Sequence, residues 1–143
     1  MHGTAPAPAF TDATLHLPAA IDSVRVARAA LARALRRAGW DHAAAGLVLL
    51  AMSEAVVNAV LHGSTTRGEV RVRFAISPSV ARVRVVDEGR PGPSGWPAEQ
   101  AKLPPEKATN GRGLYIMQSV ADTCDVHPDG DGTEVVLEFL RAA

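Results

Sequence analysis

Glu54-Ala55-Val56-Val57-Asn58-Ala59-Val60-Leu61-His62-Gly63 is the stretch on which the reading of this chain turns. Residues four apart share a helix face, so Glu54, Asn58 and His62 form one polar stripe. Leu47, Ala51 and Leu61 fall in the same angular sector, where a solvated face would carry Lys, Glu or Gln. The opposite sector, Leu49, Met52, Val56 and Val60, is apolar too. A helix apolar nearly all round is expected to be buried, and a carboxylate in it needs a partner or a chemical task. One such task is to serve a water or hydroxyl while the neighbouring amide holds a magnesium ion. The bland alternative is a solvated stripe, as most polar stripes are.

Downstream, Glu69 to Ile76 alternates, with Val70, Val72, Phe74 and Ile76 facing one way and Arg71 and Arg73 the other, as in a half-buried strand. Ser77-Pro78-Ser79 reads as a turn, and Ala81, Val83 and Val85 form the inner face of the next strand. Asp87 continues that inward series, so its carboxylate is expected to enter the core layer from a strand end. Thr133 shares parity with Val135, Leu137 and Phe139 on a last strand entered through the turn Asp129-Gly130-Asp131-Gly132. Two inward polar groups at strand ends suggest a pocket floor. A structural hydrogen bond between them, or an ordinary Asp-x-Gly turn at Asp87, would read the same way.

Between these strands, Arg90 to Asn110 holds five of the ten prolines and two glycines. So long an irregular stretch is usually a functional lid or a linker. It runs into Gly111-Arg112-Gly113-Leu114, whose glycines let backbone amides approach an anion at the start of a helix to Ala121. Other phosphate motifs fail: there is no Gly-x4-Gly-Lys-Ser/Thr, and Ile116 stands where a dinucleotide fingerprint needs its third glycine. The five His show no metal spacing, and no Gly-x-Ser-x-Gly elbow supports a hydrolase.

Upstream, 1–9 reads as a flexible Ala/Pro leader and Phe10 to Leu17 as a first strand. Asp22 or Ser23 is expected to cap an Arg-studded amphipathic helix that stops at Gly39, and Asp41 the helix that ends near Gly63. The order strand, two helices, two strands, loop, helix, two strands predicts one domain over 10–143. Its fold class is an α/β (α+β) two-layer sandwich, a mostly antiparallel mixed sheet covered on one face by helices. Fifteen basic and fifteen acidic residues cancel, giving no global case for nucleic acid or an anionic membrane. Only two of the basic residues are Lys, which with abundant Ala hints at a GC-rich coding bias. The lone Cys124 points to a reducing compartment. No signal peptide opens the chain, and the longest apolar run, Ala43 to Met52, is short of a bilayer span, so a cytoplasmic location is expected.

These segments resemble the motifs of the GHKL superfamily of Bergerat-fold ATPases, and within it the stand-alone anti-sigma factor serine kinases of the RsbW type. Glu54-x3-Asn58-Ala59-x2-His62 is similar to the N box, Asp87-x-Gly89 to the first glycine box, Gly111-x-Gly113-Leu114 to the second, and Gly132-Thr133 to the terminal strand motif, over about residues 10 to 140. The resemblance implies ATP and Mg as cofactors. It makes Glu54 the general base, Asn58 the magnesium ligand, Asp87 the reader of the adenine amino group and Thr133 its support. His62, Gly89, Gly111, Arg112, Gly113 and Leu114 would complete the nucleotide contacts, under a lid at about 90–110. One departure is visible: Gly92 follows Gly89 one residue later than the usual Asp-x-Gly-x-Gly allows. The implied activity is an ATP-dependent protein serine/threonine kinase that sequesters a sigma factor and phosphorylates an anti-sigma-factor antagonist. A homodimer is expected, with the first helix (Arg25, Arg28) meeting the partner. The alternative is a non-catalytic or weakly hydrolytic nucleotide-binding module; a histidine-kinase fragment ranks third, since no helix pair with a phospho-accepting His precedes the domain.

Overall fold

The computed structural model describes residues 10–63, 68–87, 111–129 and 132–141, and of these the side chains at 62, 63, 111 and 129 lie outside the description. The expected leader, Gly89, the expected lid, Gly92 and the centre of the Asp129–Gly132 turn all fall outside the described residues.

Strands β1 (Thr11–Pro18), β2 (Glu69–Ile76), β3 (Val80–Asp87), β4 (Thr123–Asp129) and β5 (Gly132–Leu140) form a sheet in the order β1-β2-β3-β5-β4. The mostly antiparallel sheet read from the sequence is antiparallel at every ladder. Its alternation is the predicted one: Val70, Val72, Phe74, Ile76, Ala81, Val83, Val85, Val135, Leu137 and Phe139 are buried against the helices, while Arg71, Arg73, Arg82 and Arg84 stand on the other face. A register slip by one residue would turn these arginines inward, so burial of one face pins the register.

Helix α1 (Ser23–Arg37) places Ala27, Leu31, Ala34 and Leu35 inward at helical spacing and its five arginines outward. It ends at Gly39, whose φ of +86° is the left-handed conformation glycine adopts without strain. The expected cap at its start is different. Asp22 is already in the right-handed helical region and makes no side-chain cap bond, and the Ser23 hydroxyl donates instead to the Pro18 carbonyl at 2.6 Å. The tight turn after β1 therefore takes the hydroxyl that would have served the helix. Helix α2 (His42–Asn58) is capped as expected, Ala44 N–H donating to the Asp41 carboxylate at 2.8 Å. Trp40, between the helices, donates from its indole to the Ser77 carbonyl at 2.7 Å and stacks under the Arg141 guanidinium, tying the helix layer to one end of the sheet.

Burial of α2 corrects one expectation. Val48, Ala51, Met52, Ala55, Val56, Asn58 and Ala59 are buried, but Leu47, Leu50 and Leu61 are 46%, 38% and 62% exposed. The helix is flanked by α1 and by α3 (Gly111–Val120) and lies on the sheet, so three sides are covered and an outer apolar stripe is left. His42–Leu61 is long and apolar enough to cross a bilayer by length and composition alone, yet it is the central helix of this layer and carries Ser53, Glu54 and Asn58.

Candidate functional site

Asn58 is the last α-helical residue of α2, and the chain continues as a π turn over Ala59–Gly63. Such turns widen the helix and recur where side chains must be aimed at a site. Asn58 is 6% exposed, and among the described residues none hydrogen-bonds its amide. A buried amide left so costs about 1–3 kcal/mol, which a ligand would recover. Its oxygen is a hard donor, the kind magnesium takes, and magnesium needs only one or two protein ligands beside phosphates and waters. The residues present therefore fit that ion.

Asp87 and Thr133 are Cα partners across the β3–β5 ladder and are both buried, as parity predicts. Among the described residues no hydrogen bond reaches the Thr133 hydroxyl, so a structural Asp87–Thr133 bond is not what holds the pair. Asn58, Asp87 and Thr133 line one cleft with Ala55, Ala59, Val85 and Val135. Of those four apolar residues, the motif reading takes in only Ala59. The visible signal was the pair of small residues at Ala55 and Ala59, four apart and beside Asn58, which keeps that flank of α2 open. The cleft floor is thus apolar with a buried carboxylate at one side, the layout that suits a flat base with an amino edge.

Helix α3 supplies the other wall. A Cβ added at Gly113 would lie 2.9 Å from Glu54 Oε1 and 3.1 and 3.2 Å from the Asn58 Nδ2 and Oδ1 atoms. The glycine therefore does more than free an amide: its bare Cα lets the start of α3 close onto the Glu54–Asn58 pair. Glu54 is half-buried. The positive dipole end of α3 thereby stands next to the amide and the carboxylate. A phosphate on that helix end and a cation on Asn58 would be neighbours. Leu114 is buried and anchors the helix, and Arg112 is exposed in the same first turn. Gly111 opens the helix, and the backbone of His62 lies in the π turn; Gly89 and the His62 side chain fall outside the described residues. Among the described residues no cluster of three or more His, Cys, Asp or Glu is present, so the donor set does not suit zinc.

Residues 17–139 match the histidine kinase-like ATPase domain family. The chain is 29% identical over 139 residues to the serine-protein kinase RsbW of Bacillus pumilus, covering 89% of this chain and 85% of that one. It is 31% identical over 99 residues to the anti-sigma F factor of Clostridium beijerinckii, covering 64% of this chain and 67% of that one. Among solved structures, the RsbU and RsbW domains of a Mycobacterium tuberculosis protein superpose with a TM-score of 0.66 at 26% identity, covering 92% of this chain and 34% of that longer one.

Proposed function

The chain belongs to the histidine kinase-like ATPase domain family, and from that premise we propose that it is an ATP- and magnesium-dependent serine/threonine protein kinase that also acts as an anti-sigma factor. The observation that carries this reading is the buried Asn58 amide, which no described residue hydrogen-bonds, held beside Glu54 and the start of α3. A purely structural helix would not leave such an amide unbonded.

In this reading Asp87 accepts a hydrogen bond from the adenine amino group, supported by Thr133, and the ring lies over Ala55, Ala59, Val85 and Val135. Asn58 holds magnesium, which when bound neutralises charge on the transferring phosphoryl group. Gly111, Arg112, Gly113 and Leu114 present the first turn of α3 to the phosphates, with Gly89 and His62 completing the contacts. Glu54 orients the acceptor hydroxyl and takes its proton as the oxygen attacks the γ-phosphorus; ADP leaves. The acceptor belongs to an antagonist protein, which competes with the sigma factor for a cytoplasmic homodimer. Added phosphate charge then expels the antagonist by repulsion and desolvation. The names of the relatives, a serine-protein kinase and an anti-sigma F factor, support both halves of this proposal.

The nucleotide assignment is tested by calorimetry with ATP and GTP. Guanine offers a carbonyl where adenine offers an amino group, setting acceptor against the Asp87 carboxylate. The mismatch should cost roughly 1.5–3 kcal/mol, or about 10–150-fold in affinity. Equal affinity for both nucleotides, or unchanged ATP affinity in Asp87→Ala, defeats the assignment.

A further inference from the structure

The outward side of α2 is an apolar line with one interruption. Leu47, Leu50, Glu54, Val57 and Leu61 follow one another at steps of three or four residues, so they share one sector of the helix and its π turn. The three leucines are exposed, and Glu54 and Val57 are half-buried. Both flanks of the line are occupied. On the α1 side, Arg28 Nη1 donates to Ser53 Oγ at 2.7 Å and to the Leu49 carbonyl at 3.3 Å. On the α3 side, the start of that helix comes so close that a Cβ at Gly113 would meet Glu54 Oε1 at 2.9 Å. A single exposed leucine needs no explanation, but three in register form a patch that the fold itself does not use.

The chemistry of the line says what fits it. None of its five side chains is a hydrogen-bond donor, and Glu54 is the one acceptor among them. Among the described residues none hydrogen-bonds the Glu54 carboxylate. α2 contains no Lys or Arg, so it offers nothing to an anionic bilayer or a nucleic acid. A second copy laid on the same line would press Glu54 against leucines or against another Glu54, burying a carboxylate without a donor. The complementary surface is therefore apolar, with one donor placed to meet Glu54.

We propose that this outer line of α2 selects the phosphate acceptor, and that the acceptor is a Ser or Thr flanked by apolar residues within about three positions on either side. The proposal rests on the kinase reading, in which Glu54 takes the proton while the acceptor oxygen bonds to the γ-phosphorus and the bond to the ADP oxygen breaks. A hydroxyl brought to Glu54 from outside sets its neighbours on Leu50 and Val57, about 5 Å away along the helix. Leu47 and Leu61 lie seven residues, or about 10 Å, to either side, which is the reach of about three extended residues. Covering the line also takes water away from Glu54, so that the acceptor hydroxyl and not a water molecule occupies the carboxylate.

A peptide library with a fixed central Ser and randomised flanks, incubated with the full chain and magnesium-ATP labelled at the γ-phosphate, tests this. The expected winners carry Leu, Ile, Val or Met within three residues of the Ser. With the best of them, Leu47→Glu and Leu50→Glu should each raise KM about tenfold or more and leave kcat and magnesium-ATP affinity unchanged. Leu50→Ala should shift KM less, in the same direction. Both leucines are exposed, so melting of the variants should match the unaltered chain. Winners defined by acidic or basic flanks, or a KM that neither Glu variant moves, overturn the proposal. So does the absence of any labelled peptide from a chain that binds magnesium-ATP. A concentration-dependent dimer dissolved by Leu50→Glu would make a second copy the occupant, and capture by phosphatidylcholine vesicles would make it lipid; either result overturns the proposal. Calorimetry separates the two readings: no magnesium-ATP binding in the unaltered chain sinks the kinase reading, whereas transfer without an apolar preference sinks only the selection by α2.

Discussion

Replacing Gly113 by alanine should separate the stability of this fold from its chemistry. Ordinary contact for an added Cβ begins near 3.4 Å, whereas here it would meet Glu54 Oε1 at 2.9 Å and the Asn58 amide atoms at 3.1 and 3.2 Å. Glu54 must therefore retreat by about 0.5 Å and Asn58 by about 0.2–0.3 Å, or α3 must lift by a similar amount. The glutamate is the end of a long, half-buried side chain and can rotate away at small cost; the short, buried Asn58 cannot. Overpacking of this kind costs about 1–3 kcal/mol, and the better helix propensity of alanine returns about 1 kcal/mol. The net loss is within about 2 kcal/mol, a fall in Tm of less than about 8 °C. Function should fare worse, because the shifted groups are the ones assigned to the proton and the metal. A displacement of this size lowers phosphate transfer about 10–100-fold and weakens magnesium-nucleotide binding. Calorimetric melting, titration with magnesium-ATP and single-turnover transfer to the acceptor would read the effects separately. Unchanged transfer and unchanged magnesium dependence in a folded Gly113→Ala protein would refute the idea that the α3–α2 contact is the working arrangement. Global unfolding would refute the stability arithmetic.

Glu54→Gln keeps the shape of the side chain and should leave nucleotide affinity nearly intact while transfer falls about 10²–10⁴-fold; normal turnover would place the base elsewhere. Asn58→Ala removes a buried amide that no described residue hydrogen-bonds, so the melting temperature should hold or rise while magnesium-dependent nucleotide affinity drops. A clear loss of stability with unchanged metal dependence would make Asn58 structural. Burial, with the Asp125 charge as a lesser cause, pushes the Cys124 thiol up from 9.0 to about 11. The folded state thus holds this proton more tightly than the unfolded chain does. The associated stability is present below the unfolded value of 9.0 and fades as pH rises from there toward 11. Alkylation of Cys124 at pH 8 should accordingly run about 10–100-fold slower in the folded protein than in denaturant, and equal rates would contradict the shift.

What could be read along the chain was whatever depends on local period and backbone freedom. Strand parity put Asp87 and Thr133 on the inner face because successive side chains alternate, and burying one face admits a single register. Helical period put Glu54 beside Asn58, and the left-handed turn at Gly39 and the cap at Asp41 follow from the chemistry of those residues alone. The cap expected at α1 was lost because the turn after β1 claimed the Ser23 hydroxyl for Pro18, a competition between neighbours that propensity does not weigh. Which side of α2 stays exposed was beyond the pattern: with apolar residues on every face, periodicity points nowhere, and only the seating of α1 and α3 on either flank left Leu47 and Leu50 outside. The same holds for Gly113 against Glu54 and Asn58 and for Arg28 against Ser53. These contacts join residues 25 or more positions apart in the chain. Their geometry is set by how three helices pack on one sheet, and packing is decided by the volumes of all the side chains at once rather than by any local run of them.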